Sequence, residues 1–306
     1  MFINRLEKEI LAKKSPLVVG LDPDLTMFPP SLKPAATASR TEIAAAILAF
    51  NKSIIDQVAD LVPAVKPQAA FYEEYGWAGI KALEETAVYA RSKGLLVILD
   101  AKRGDVPNTA SAYARAYLAQ DENPHAFPCD ALTINPFLGR DSLQPFIDAA
   151  SSNQRGIFLL VRTSNRGAAD LQNLRIEGAK HPLWQEIAGW VADWATKTRG
   201  ANKYSPVGIV AGLTYPQEAQ SLRLLLPHSY LLLPGLGTQG GQVADAIPCF
   251  DPDGLGALLI AARSIIYAYL REPYINRFSG PEFAQAARQA AADILQRLYD
   301  AGYRRE

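Results

Sequence analysis

Short apolar runs alternate with longer stretches of helical period from one end of the chain to the other. Leu17-Val18-Val19-Gly20-Leu21, Leu95 to Leu99, Ala131 to Ile134, Gly156 to Val161, Val207 to Ala211, Tyr230 to Leu233 and Ala257 to Ala261 are four to six residues long and apolar on both faces. That is the pattern of strands buried within a parallel sheet. A weaker run, Val62 to Gln68, brings the number to eight. Between the runs, helical spacing marks Asn4 to Lys13, Thr41 to Asp60 with Thr41 as its cap, and Trp77 to Lys93 closing at Gly94. It recurs at Thr109 to Leu118, Ser142 to Ala150, Trp184 to Thr198, Pro216 to Leu226 and Pro281 to Tyr299. Pro23 to Ser39 holds four prolines and reads as a loop long enough to cover a site.

Eight short strands, each followed by a helical or linking segment, predict a (β/α)8 barrel rather than a doubly wound sheet, which usually has fewer strands. No repeat, low-complexity tract or linker divides residues 1–306, so one barrel domain is expected.

Composition narrows the partners. Lys+Arg and Asp+Glu balance at 31 each, so no global field draws nucleic acid or an anionic membrane, and anion binding must be local. Cys129 and Cys249 stand far apart, with no paired-cysteine or Cys/His spacing for a disulfide scaffold or a zinc site. His125, His181 and His228 form no metal pattern, and Trp77, Trp184, Trp190 and Trp194 sit on helical segments, where a core-facing stripe is expected. There is no leader-like apolar stretch at the amino end and no unbroken span for a bilayer. A reduced, cytoplasmic setting is the expectation.

The chemistry concentrates where the third strand ends, in Asp100-Ala101-Lys102-Arg103-Gly104-Asp105-Val106-Pro107-Asn108-Thr109. Strand alternation points Asp100 and Lys102 the same way. Taken alone, the pair fits a surface ion pair worth about 0–1 kcal/mol. A barrel changes this, because the carboxyl ends of all strands share one mouth. Asp22, Lys66, Asp100, Lys102 and Asp105 then converge with alternating sign, and a carboxylate beside an ammonium favours the charged form of both. Pro234-Gly235-Leu236-Gly237-Thr238-Gln239-Gly240-Gly241 after the seventh strand and Arg263-Ser264 after the eighth stand where this fold places its phosphate site. No nucleotide-binding signature of the GxxxxGK[ST] or GxGxxG type appears near the amino end.

Asp100-Ala101-Lys102-Arg103-Gly104-Asp105-Val106 with Thr109 resembles the DxKxxDI…T signature of the orotidine 5′-monophosphate decarboxylase family. Asp22, Lys66, the glycine-rich 234–241 segment and Arg263-Ser264 extend the likeness across the chain. The length and the proline-rich first loop are similar to the longer bacterial (type 2) subgroup. The resemblance implies a cofactor-free and metal-free conversion of orotidine 5′-monophosphate to uridine 5′-monophosphate in pyrimidine synthesis. Lys66, Asp100 and Lys102 would form the charged network, with Lys102 delivering a proton to pyrimidine C6. Asp105 and Thr109 would reach into the partner's site across a homodimer. Asp22 and Lys66 would bind ribose hydroxyls, and Gln239 and Arg263 the phosphate. Ser164, with Thr163 an equal candidate by position, would contact the pyrimidine amide. Two rivals remain: a metal-dependent 3-keto-hexulose-phosphate synthase or decarboxylase, which carries an acid where this chain has Lys66, and a non-catalytic nucleotide-binding module.

Overall fold

All eight apolar runs become strands, since a run buried on both faces is accommodated only in a sheet covered by helices. They close into a barrel in chain order, each parallel to its neighbours, with the first pairing back to the eighth. The computed structural model describes residues 1–120, 123, 125–178, 180–237 and 240–303.

α1 (Phe2–Lys13) precedes β1 (Leu17–Leu21), and α2 (Arg40–Val58) precedes β2 (Ala64–Pro67). A one-turn α3 (Ala70–Glu73) and α4 (Gly76–Ser92) lead to β3 (Leu96–Arg103) and α5 (Pro107–Tyr117). β4 (Ala131–Ile134), α6 (Arg140–Ser152), β5 (Gly156–Arg162), α7 (Ala168–Gln172) and α8 (Leu183–Thr198) follow. β6 (Val207–Ala211), α9 (Pro216–Leu225), β7 (Leu231–Leu233), β8 (Ala257–Ala261), α10 (Arg263–Ile266) and α11 (Phe283–Asp300) complete the order.

Most of the core lies between the barrel wall and the surrounding helices, and a second cluster fills the barrel itself. α1 closes the barrel's amino-terminal end by burying Phe2, Ile3, Leu6 and Ile10 against Val18, Ala64, Ile98, Ala131 and Phe158. Gly156, the first residue of β5, makes room for it: a Cβ there would stand 2.3 Å from the Phe2 ring. Arg5 fastens the helix by an ion pair of 2.6 Å to the fully buried Asp130, which also accepts the Val97 amide at 2.8 Å. With that end plugged, only the opposite end, where the strands terminate, is left to receive a ligand.

Three local expectations are corrected. α2 is capped by Ser39 rather than Thr41: the Ser39 hydroxyl accepts the Glu42 amide while the Glu42 carboxylate accepts the Ser39 amide, a reciprocal arrangement that a cap two residues later would forfeit. Within the proline-rich 23–39 loop, Leu25–Met27 forms one 3-10 turn, begun by the Asp24 carboxylate accepting the Thr26 amide at 2.9 Å. Trp77 does not join the core. α4 buries the stripe Ala78, Ala82, Leu83, Thr86, Ala87 and Ala90, leaving Trp77 67% exposed, whereas Trp184 and Trp194 are buried.

Candidate active site

The carboxyl ends of the strands surround a cavity of about 810 Å³ lined by Asp22, Lys66, Asp100, Lys102, Ser164 and Arg263 among others. Strand order alone brings these together from positions far apart in sequence. Gly20 tightens one seam: a Cβ there would stand 2.5 Å from the Ala262 Cβ, so its absence lets β1 lie close to the segment that carries Arg263.

Asp100 sits at the centre, and each of its carboxylate oxygens takes two bonds. Oδ1 accepts from Lys102 Nζ at 2.6 Å and from the Thr133 hydroxyl at 2.9 Å. Oδ2 accepts from Lys66 Nζ at 2.7 Å and from Gln68 Nε2 at 2.9 Å. Burial alone would raise the Asp100 carboxyl, but the charges and hydrogen bonds of Lys66 and Lys102 hold it well below the usual carboxylate range. Burial works against the Lys66 ammonium too, and Asp100 and Asp22 more than offset it, so its pKa lies above the ordinary lysine value. Asp22 goes the other way. Burial raises its carboxyl; Lys66 lowers it, Asp100 raises it, and Arg263 and Lys102 lower it, the balance staying above the ordinary value.

Asp100 and Lys102 do converge, but not by regular alternation. Lys102 has φ +48°, a left-handed conformation that a side-chain-bearing residue rarely adopts and that persists only where its surroundings enforce it. The β3–β4 pairing shifts register there, and the bulge turns the Lys102 ammonium back onto the Asp100 carboxylate. Arg103 braces the far side. Its guanidinium donates to the Ala101 carbonyl at 3.1 Å, pairs with Glu73 on α3, and lies over the rings of Tyr113 and Tyr117.

On the opposite rim, Gly235 and Gly237 take φ +105° and +76°, values that glycine alone adopts freely. They let the chain fold back so that the Gly241 amide reaches the Gly235 carbonyl at 3.1 Å. Thr238 and Gln239 lie outside the described residues. Two buried polar atoms on cavity-lining residues have no hydrogen-bond partner among the described residues, Ser264 Oγ on this rim and Asp22 Oδ1 beside the lysines.

Thr163 and Ser164 part company. The Thr163 hydroxyl is taken up internally, donating to Asn165 Oδ1 at 2.7 Å and accepting from Gln172 Nε2 at 2.8 Å. Both residues line the cavity, and the Ser164 carbonyl accepts from the Thr214 hydroxyl at 3.1 Å. Asp105 and Thr109 are not brought to the cavity of their own chain. The Asp105 carboxylate accepts the Val106 amide at 2.8 Å, and Thr109 is exposed in the first turn of α5.

A family model described as orotidine 5′-phosphate decarboxylase / HUMPS family matches residues 15–273. The chain belongs to that family. It is 42% identical over 300 residues to the orotidine 5′-phosphate decarboxylase of Rhodopirellula baltica, spanning 97% of this chain and 98% of that one. Among solved structures, Leishmania donovani OMP decarboxylase matches with a TM-score of 0.72 and 31% identity over 97% of this chain and 99% of that one. Leishmania donovani UMP synthase matches with a TM-score of 0.73 and 32% identity, covering 96% of this chain and 56% of that longer one.

Set in the decarboxylase / HUMPS family, two residues stand out that the sequence reading passed over, Gln68 and Thr133, both bound to Asp100. Gln68 has a sequence signal, lying two positions beyond Lys66. Thr133 has one as well, being the polar member of the apolar run Ala131 to Ile134.

The raised carboxyl of Asp22 has a consequence for stability. Its ionised form is disfavoured in the folded chain, so it costs stability at neutral pH, and the cost fades as pH falls through the folded pKa. Asp22→Asn is therefore expected to melt at or above the wild-type temperature at pH 7, with the gap closing toward acid pH. Thermal melts across that range check it, and a variant melting well below wild type at pH 7 contradicts it.

Proposed function

We propose that this chain is a carboxy-lyase that converts orotidine 5′-monophosphate to uridine 5′-monophosphate and carbon dioxide, serving pyrimidine nucleotide synthesis. The observation that carries the reading is the Lys66–Asp100–Lys102 array at the barrel mouth, facing a glycine-rich rim that bears Arg263. Its support is the 42% identity to a decarboxylase over nearly the full length of both chains.

In this reading Arg263, the Gly235 loop and Gln239 hold the phosphate, Asp22 and Lys66 the ribose hydroxyls, and Ser164 the pyrimidine amide. The C6–carboxyl bond breaks, carbon dioxide departs, and the electron pair stays on C6. Lys102 stabilises that developing charge through its fixed ammonium and then transfers a proton from Nζ to C6, becoming a neutral amine that solvent reprotonates. Asp100, kept ionised, stands where it repels the substrate carboxylate and favours its loss. Phosphate contacts far from C6 supply binding energy that holds the ring in this register.

The reading asks for no metal or organic cofactor. The metal-dependent rival carries an acid, a ligand for a divalent ion, where this chain has Lys66, whose ammonium instead pairs with Asp100 Oδ2 at 2.7 Å. This favours the decarboxylase over the metal-dependent sugar-phosphate alternative. Asp105 and Thr109, which do not line the cavity of their own chain, belong in this reading to the partner's site in a homodimer of single-domain barrels. A cytoplasmic location completes it: Cys129 and Cys249 are free and buried, and among the described residues no helix is long and apolar enough to cross a membrane.

The test follows the ultraviolet absorbance of orotidine 5′-monophosphate in excess chelator. Wild type is expected to remove the orotate chromophore, and Lys102→Ala to do so about 10²–10⁴-fold more slowly, the range for a lost proton donor. Turnover that appears only after magnesium is added would favour the metal-dependent rival, and Lys102→Ala matching wild type would remove that lysine from its role. For the shared site, subunits carrying Lys102→Ala and Asp105→Ala are each expected to be strongly impaired alone and to regain activity on mixing. No recovery, with subunit exchange demonstrated, would place Asp105 outside the partner's site.

A further inference from the structure

We propose that Thr133 is a positioning residue that sets the backbone turn at Lys102 and, through it, the place of the proton-donating ammonium; this rests on the decarboxylase reading above. Leu99 of β3 pairs with Leu132 of β4, and pairing resumes only at Arg103 opposite Ile134. Four steps along one strand thus face two along the other. Asp100, Ala101 and Lys102 stand against Thr133 alone.

A bulge of this kind leaves strand amides without their ladder carbonyls, and a buried amide without an acceptor is costly. The Lys102 amide is instead donated to Thr133 Oγ1 at 2.9 Å. The hydroxyl's own proton goes to Asp100 Oδ1, also at 2.9 Å. With one proton and two lone pairs, a hydroxyl makes both bonds at once, and each fixes the direction of the other. The side chain has little freedom to do otherwise. Thr133 is 1% exposed, its branched Cβ restricts rotation, and its backbone is held on the far side by pairing with Phe158 of β5.

One atom therefore ties the left-handed backbone of Lys102 to the carboxylate that receives its ammonium. Proton transfer to carbon depends steeply on approach distance, so a small shift of Lys102 lowers the rate of the chemical step more than it weakens nucleotide binding. Serine keeps the hydroxyl. Valine keeps the bulk but offers neither donor nor acceptor.

The experiment compares wild type, Thr133→Ser and Thr133→Val by steady-state decarboxylation of orotidine 5′-monophosphate, with uridine 5′-monophosphate affinity measured on the same samples. The valine variant is expected to lose about tenfold or more in kcat while KM and product affinity stay within about threefold, and the serine variant to keep kcat within about threefold. If the valine variant does not fold, Thr133→Ala, which removes the hydroxyl without adding bulk, is read by the same criteria. A wild-type kcat without the hydroxyl overturns the positioning role. So does a serine variant as slow as the valine one, or a loss carried by KM and product affinity. A wild-type chain that leaves the substrate unchanged overturns the decarboxylase reading and this role with it, whereas the preceding outcomes overturn the Thr133 role alone.

Discussion

One buried carboxylate, Asp100, sets the terms for everything at the mouth of this barrel. A charge taken out of water is tolerated only when paired and hydrogen-bonded, and Asp100 obtains both through two ammonium groups, an amide and a hydroxyl. Those donors come from β2, the residue just beyond it, β3 and β4. The carboxylate thus binds three neighbouring strands at the level where the ladder of main-chain bonds is giving out. Removing one partner would leave a buried charge under-compensated, which is why the four act as a unit rather than as separable contacts.

The same requirement explains the irregular backbone. A regular strand would let Lys102 share a face with Asp100 but would not fold its ammonium back onto the carboxylate. The bulge and the left-handed Lys102 do so, and Thr133 on one side and Arg103 with Glu73 on the other hold the distortion. Asp22 shows the opposite compromise. Its carboxyl is buried without full compensation, which costs folding free energy at neutral pH.

Much of this was legible in the chain. β1, β4, β6 and β8 begin and end at the residues where the apolar runs do, because turn formers, prolines or charges bound each run sharply. Lys66, Asp100, Lys102 and Arg263 were legible as a set because barrel topology turns strand order into proximity. The rest depended on what no single segment encodes. The Thr163 hydroxyl is engaged by Asn165 and by Gln172 of α7, a pairing that the strand's own residues do not announce. The parts of Thr133 and Gln68 follow from a register shift and from a carboxylate on another strand, and alternation rules assume neither. Ser39 was missed as the cap of α2 because the apolar period begins later than the hydrogen-bonded helix does.

Asp100 stays ionised in the folded chain because its four donors hold it so. Carbon-13 NMR of aspartate side-chain carboxyls, with the Asp100 signal assigned by its loss in Asp100→Asn, tests this directly as pH is lowered from neutral while the fold persists. Other carboxyls are expected to titrate and Asp100 is not. A midpoint for Asp100 at the ordinary aspartate value, about 4, would contradict it.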